Sequence, residues 1–270
     1  MMKKRMLASA ICGLGLMASG AASATVIGGV DFGPFGFHID TTTLAETFVG
    51  ANGDIARGYG VVNTINGNNA YAGTDKLFFI FDNYVAKDYT PTTVNFSGGV
   101  IKIYKRADFN LLLQGSEGVG GNLDLIDDGI LWATMTGHAQ QGTVNTLSAS
   151  GQFTGASLSF TGAGLLDIDQ TPGTGLLDVQ TRLNGNDIPD GVAPGFGFAD
   201  VALTTSANNF VLNPFDNTTG CRTGGAVAGQ WCLAGSADLR GTIIPEPGVL
   251  ALLGIGLLGV VTSRRKSKAA

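Results

Sequence analysis

Turn formers interrupt the central part of the chain so often that a long helix has no room to form there. Asn66-Gly67-Asn68, Ser97-Gly98-Gly99, Gly120-Gly121-Asn122, Asp128-Gly129, Asn184-Gly185-Asn186 and Asp190-Gly191 punctuate it, and such residues supply the left-handed backbone that short connections need. With 42 glycines in 270 residues, what lies between the turns reads as short strands. Residues 76–81 form a dense apolar run, Lys-Leu-Phe-Phe-Ile-Phe, of the kind a strand covered on both faces carries. In residues 100–104 Lys102 separates Ile101 from Ile103. Leu131, Ala133 and Met135 alternate with Trp132, Thr134 and Thr136, and Ala237, Leu239, Gly241 and Ile243 alternate with Asp238, Arg240 and Thr242. These are half-buried strands. The expected fold is all-β, a Gly-rich β-sandwich or jelly roll, with a barrel or β-solenoid as runner-up.

One internal echo bears on the solenoid. Gly164-Leu165-Leu166-Asp167-Ile168-Asp169 returns as Gly175-Leu176-Leu177-Asp178-Val179-Gln180, with Thr171-Pro172-Gly173 between them. A solenoid needs at least three copies at a fixed period. Two copies around a turn read as neighbouring strands.

The two ends have a different character. Lys3-Lys4-Arg5 leads into an apolar stretch over residues 6–18, and Ala22-Ser23-Ala24 has the small-x-small form of a cleavage site. Residues 1–24 therefore read as a signal peptide, cut after Ala24 by signal peptidase. At the other end, Ile244-Pro245-Glu246-Pro247-Gly248 precedes an apolar run over residues 249–261 and a basic finish, Arg264-Arg265-Lys266-Ser267-Lys268. Pro245 and Pro247 lack amide hydrogens and push the residues before them toward extended geometry. A helix can begin at Pro247, where Glu246 would meet the positive end of its dipole. Over residues 247–262 it would reach about 24 Å, against a hydrocarbon core of about 30 Å. The basic stop of Arg264, Arg265 and Lys266 orients such a helix with its C-terminus in the cytoplasm.

This order of Pro-Glu-Pro, short apolar helix and basic end resembles the PEP-CTERM sorting signal, by which exported proteins of Gram-negative bacteria are handed to the membrane enzyme exosortase. The resemblance covers about the last 27 residues, with Ile244 and Gly248 as mild departures from its usual pattern. It implies cleavage near Pro245, Glu246 and Pro247, a transient inner-membrane anchor, and a final place at the cell surface or outside the cell. It also implies a setting of exopolysaccharide, biofilm or floc. The chain then divides into a signal peptide (1–24), an all-β exported domain (25–243) and a sorting signal (244–270).

Composition narrows the function of the middle part. Seven of the 16 basic residues and one of the 21 acidic residues belong to the ends. The mature region holds 9 basic against 20 acidic groups, about −11 in net charge. That charge repels phosphate backbones and excludes nucleic acid as a partner. Cys12 leaves with the signal peptide, and Cys221 and Cys232 remain as an even pair in an oxidising compartment. A disulfide between them is the natural inference; two free thiols or half of a zinc site is the alternative.

The chain offers little in the way of catalytic arrangements. His38 and His138 stand far apart in sequence, and neither a Gly-x-Ser-x-Gly elbow nor a His-Glu-x-x-His helix occurs. Gly254-Ile255-Gly256-Leu257-Leu258-Gly259 spells a dinucleotide fingerprint inside the apolar tail, without the βαβ context that gives it meaning. The mature region has two glutamates, Glu46 and Glu117, and nothing in the sequence singles them out. Asp124, Asp127, Asp128, Asp167, Asp169, Asp178, Asp187 and Asp190 cluster, and oxygen-rich loops such as that of Asp187 and Asp190 can hold Ca²⁺. Solvated acids that keep an exported protein soluble are the alternative. The expectation is a non-enzymatic exported protein without a resident cofactor. A structural matrix component and a carbohydrate-binding or adhesive module are the two main readings, a glycosidase-like enzyme the third. Trp132, Tyr59, Tyr71, Tyr84 and Tyr89 discriminate them: exposed in a row they would stack on sugars, and buried they would serve a scaffold.

Overall fold

The computed structural model describes residues 25–33, 36–111, 118–192, 194–210 and 221–245. β1 (Val26–Ile27) and β2 (Val30–Asp31) form a small ribbon. β3 (Phe37–Thr47), β4 (Ile55–Ile65), β5 (Asp75–Lys87) and β6 (Thr93–Ala107) follow as an antiparallel meander. Helix α1 (Gly118–Asp127) precedes β7 (Ile130–His138), β8 (Leu147–Gln152) and β9 (Ser159–Ile168). Helix α2 (Leu177–Leu183) and a second ribbon of β10 (Ile188–Pro189) and β11 (Phe198–Ala199) lead to β12 (Val201–Asn208) and β13 (Trp231–Gly241).

The large sheet closes on itself. β13 returns to pair with β3, and β12 pairs with β13 on one side and β9 on the other. β7 and β8 share one place in the ring: β7 joins residues 100–105 of β6 to residues 165–168 of β9, and β8 joins residues 93–96 of β6 to residues 159–164 of β9. The result is a barrel with eight positions. The all-β expectation holds, and barrel closure replaces the two-sheet sandwich. The physical reason lies in the β9–β12 ladder, which joins segments more than 30 residues apart and leaves each strand of the sheet paired on both sides.

Strand alternation sorts side chains into an interior and an outer layer. Residues 76–81 behave as their run of apolar residues demands: Leu77 and Phe79 belong to the main core, while Phe78 joins Ala45, Tyr59, Tyr104, Leu111 and Ile126 in a second cluster under α1. Asn122 of α1 donates from Nδ2 to the Tyr59 hydroxyl at 3.0 Å, which ties the helix to the wall. One end of the barrel is filled by Phe32 and Trp132, stacked with ring centroids 6.0 Å apart, and by Ile27, Val30 and Val179. At the opposite end Phe48 and Leu158 pack with the disulfide that joins Cys221 to Cys232.

Three turn and strand readings change. The second copy of the internal echo is not a strand, because Leu177–Leu183 forms α2, with Asp178 in its first turn, Arg182 in its last, and Val179 and Leu183 buried against the barrel end. Opposite charges at the two helix ends suit its dipole, and the apolar pair four residues apart faces one side. Likewise Gly120-Gly121-Asn122 lies inside α1, where packing of Asn122 and Ile126 outweighs the poor helix propensity of glycine. Ser97-Gly98-Gly99 lies within β6 and bends it instead of ending it. Among the described residues no helix is long and apolar enough to cross a membrane. The segment expected to be a signal peptide, with Ala22 and Ala24, and residues 246–270, with Glu246, Pro247, the apolar run, Arg264, Arg265 and Lys266, lie outside the described residues.

Candidate functional site

Inside the barrel Phe79 and Phe81 of β5 stand in register with Gly60 and Gly58 of β4. A Cβ on Gly58 would lie 2.4 Å from Phe81 Cε1, and one on Gly60 2.7 Å from Phe79 Cζ, so the two rings lie on bare backbone. Across β4, Gly60 pairs with Thr43 and Gly58 with Glu46. Between those rows β3 spends two residues where β4 spends one, since Thr43 pairs with Gly60 but Ala45 with Tyr59. This bulge shifts the alternation by one residue. Ile39, Thr41 and Thr43 line the interior, Ala45 turns outward beneath α1, and Glu46 turns in.

A second kink aims Tyr84 at the same space. Asn83 takes φ of 62° opposite Gly98 and Gly99 at 72° and 93°, which moves Tyr84 into the inward phase. Its ring lies over Gly99, where a Cβ would be 2.3 Å from Tyr84 Cε1. The hydroxyl is buried and has no hydrogen-bond partner. Burial pushes it well above the ordinary tyrosine range.

Glu46, Tyr84, Phe79, Phe81, Phe96 and Phe160 thus border a cavity of about 70 Å³. Glu46 is half-buried and borders this space, and burial pushes its carboxyl up to about 8. Among the described residues no cation or hydrogen-bond donor meets it. A carboxyl without a partner in an apolar enclosure is held neutral near pH 7 and is costly to ionise.

The two histidines sit on the wall. His38 of β3 places Nε2 3.1 Å from Asp40 and 3.6 Å from Asp238 of β13, with an Arg240 Nη 3.5 Å away. These three form the group of possible metal ligands found among the described residues, each partly exposed. Thr64 donates to Asp40, and this bond, working with Asp238, His38 and Arg240 against partial burial, lowers the Asp40 carboxyl. His138 of β7 lies with Nδ1 2.8 Å from Asp167 and Nε2 3.2 Å from Asp190. Both rings are strand residues; His38 meets Asp40 of its own strand and the sequence-distant Asp238, and His138 meets two carboxylates that are both distant in sequence.

The acids proposed for Ca²⁺ do not share a centre. Asp190 is occupied by His138 and by the amide of Gly197 at 2.6 Å, whereas the charge of Asp187 acts on buried Asp200. Asp200 accepts the amides of Ile168 and Asn186 at 2.7 and 2.8 Å; burial raises its carboxyl despite those bonds, and the charges of Asp167 and Asp187 add to the rise. Cys221 and Cys232 are bonded, with Cα atoms 5.6 Å apart. Glu117 lies outside the described residues. Of the discriminating aromatics, Trp132, Tyr59, Tyr71 and Tyr84 are buried and Tyr89 is half-buried. Sequence reasoning missed Glu46. The signal was present, a single acid inside the run Leu44-Ala45-Glu46-Thr47-Phe48-Val49.

The fold and its terminal signal define an exported β-barrel protein whose C-terminus is a processing address. Residues 244–266 match the family model of the PEP-CTERM protein-sorting motif. The chain carries that motif, which makes it an exosortase-sorted protein directed to the surface or the extracellular space. No curated protein and no solved structure matches the chain.

Proposed function

We propose that the mature chain is a non-enzymatic component of the cell surface or extracellular matrix, deployed among exopolysaccharide in a biofilm after cleavage near Pro245, Glu246 and Pro247. The observation that carries this reading is the match to the sorting motif over residues 244–266. The burial of Trp132, Tyr59, Tyr71 and Tyr84 favours a scaffold over a carbohydrate-binding module, because those four rings stiffen the barrel and none of them offers an exposed face to sugar. A closed barrel and a disulfide also suit a protein that must persist outside the cell, where no cellular machinery refolds it.

The test is intact-mass spectrometry of the native exported protein in parent and exosortase-deficient strains. The parent is expected to release a chain that begins near Thr25 and ends near Pro247, and the deficient strain to retain residues 250–270 in its membrane fraction. Equal display with an unchanged C-terminus in both strains overturns the sorting role. Pull-down of the mature protein by native exopolysaccharide that survives high salt would overturn the scaffold reading in favour of a carbohydrate-binding module.

A further inference from the structure

We propose that the barrel interior is a binding site for a small organic ammonium ion, with Glu46 as its counter-ion and the surrounding aromatic rings as its walls. The inference is independent of the sorting reading and rests on how the cavity is built. Two separate backbone irregularities, the bulge between Thr43 and Ala45 and the kink at Asn83, each turn one polar side chain into a largely apolar enclosure whose other polar members are Thr41, Thr43 and Thr205. An ordinary alternation would have placed Ala45 and Asn83 there instead. Tyr84 is 3% exposed, and its hydroxyl has no partner. Buried polar groups in native proteins are almost always satisfied, so the unpartnered Tyr84 hydroxyl, beside a carboxyl that borders the same cavity, points to a polar ligand there.

The chemistry of the lining selects the occupant. Phe79, Phe81, Phe96 and Phe160 present aromatic surface to the space, and aromatic faces attract cations, including alkylammonium groups. One carboxyl among them, neutral on its own near pH 7, gives up its proton to solvent when an ammonium ion enters and so supplies the compensating charge, and Tyr84 is the other titratable side chain that borders the cavity among the described residues. The mature surface, near −11 in net charge, draws cations toward the protein and repels anions. Size limits the ligand. A 150 Å³ cavity takes benzene, so the 70 Å³ here suits a molecule of about three non-hydrogen atoms. Ethylammonium has that size, and so small a ligand binds at best with a dissociation constant on the order of a millimolar.

Glu46 lies near the disulfide end of the barrel and borders a second, smaller void with Phe48, Phe153 and Leu158. Those same three residues border an open groove on the surface. They stand between the small void and the groove, so a ligand that enters from this side must pass them.

The experiment titrates the full chain with ethylammonium chloride and follows the ligand by proton NMR, with ethanol, which has as many non-hydrogen atoms, as the neutral control. The expected result is saturable binding with the ethyl protons shifted upfield by the rings, at least tenfold weaker binding of ethanol, and at least tenfold weaker binding of ethylammonium to Glu46→Gln. The variant replaces a buried carboxyl by an amide of the same shape, and circular dichroism checks that it folds. Should it fail to fold, the comparison of ethylammonium with ethanol in the unaltered protein decides alone. No saturable shift, ethanol bound as tightly as ethylammonium, or undiminished binding to a folded Glu46→Gln overturns the proposal.

Discussion

The Nδ1 atom of His138 lies 2.8 Å from Oδ2 and 2.9 Å from Oδ1 of Asp167, a contact that ties β7 to β9 at the place where those strands complete the ring. Asp190 approaches the other ring nitrogen at 3.2 Å and brings the β10–β11 ribbon with it. Burial opposes charge on this ring, but the hydrogen bonds and charges of the two carboxylates outweigh it and raise the imidazole above its ordinary value. The folded barrel therefore favours the protonated form of this histidine more than the unfolded chain does.

A raised histidine stabilises the fold fully below the unfolded value of about 6.5 and loses that contribution as pH rises through its elevated folded value. Melting temperature measured across this range is expected to fall in the unaltered protein. In His138→Gln the starting value is lower and the part of the fall due to the ring is absent. An identical pH profile in both proteins would show that the two carboxylates do not hold a charge there.

Glu46 gives a pH dependence in a lower window. Its folded value of about 8 exceeds the ordinary 4.5, so between those limits the unfolded chain has lost a proton that the folded one keeps. Stability falls there by up to about 1.4 kcal/mol per pH unit. Glu46→Gln cannot ionise, and its denaturation midpoint is expected to exceed that of the unaltered protein near pH 7 and to lose this slope. A variant less stable than the parent at that pH would mean the carboxyl has a partner that stabilises its charge.

Much of the wall was legible and little of the interior was. The run at residues 76–81 announced a strand covered on both faces, and Ala237 and Leu239 point inward as their alternation implied. Leu131, Ala133 and Met135 did not keep one face, because Trp132 is an extra residue between the partners of Ile103 and Tyr104. The same kind of slip turns Glu46 inward. Bulges of this sort depend on the neighbouring strand, and a single-strand pattern cannot contain them. Barrel closure through β9 and β12 is also a long-range choice. The disulfide was legible because Cys221 and Cys232 are the only cysteines outside the segment expected to be a signal peptide.

Two glycines test how far the close packing of the wall extends. A Cβ on Gly60 would stand 2.0 Å from the carbonyl oxygen of Thr42, which is backbone and cannot step aside, and 2.7 Å from Phe79. Gly120, in α1, has nothing within 4 Å of the same position. Gly60→Ala is expected to lose about 1–3 kcal/mol in urea denaturation, whereas Gly120→Ala should gain up to about 1 kcal/mol from helix propensity. Equal effects of the two would contradict the register of β3 with β4.

The Cys221–Cys232 bond fastens the start of β13 to the segment before it, beside Phe48, Leu158 and Leu233. Asn209 reinforces the same corner by donating to the Cys221 carbonyl at 2.6 Å and accepting the Leu158 amide at 3.0 Å. Separated by 11 positions in sequence, the cysteines close a short loop whose restriction of the unfolded chain contributes about 3 kcal/mol. The ring of strands does not depend on that loop, since β13 pairs with β3 and β12 over its whole length beyond it. Cys221→Ala with Cys232→Ala is therefore expected to fold, with strand content unchanged by circular dichroism, but to lose about 3 kcal/mol in guanidinium denaturation. Dithiothreitol should lower the unaltered protein by a similar amount and leave the double variant where it was. If the double variant loses its strand content instead, the bond is a condition of barrel closure.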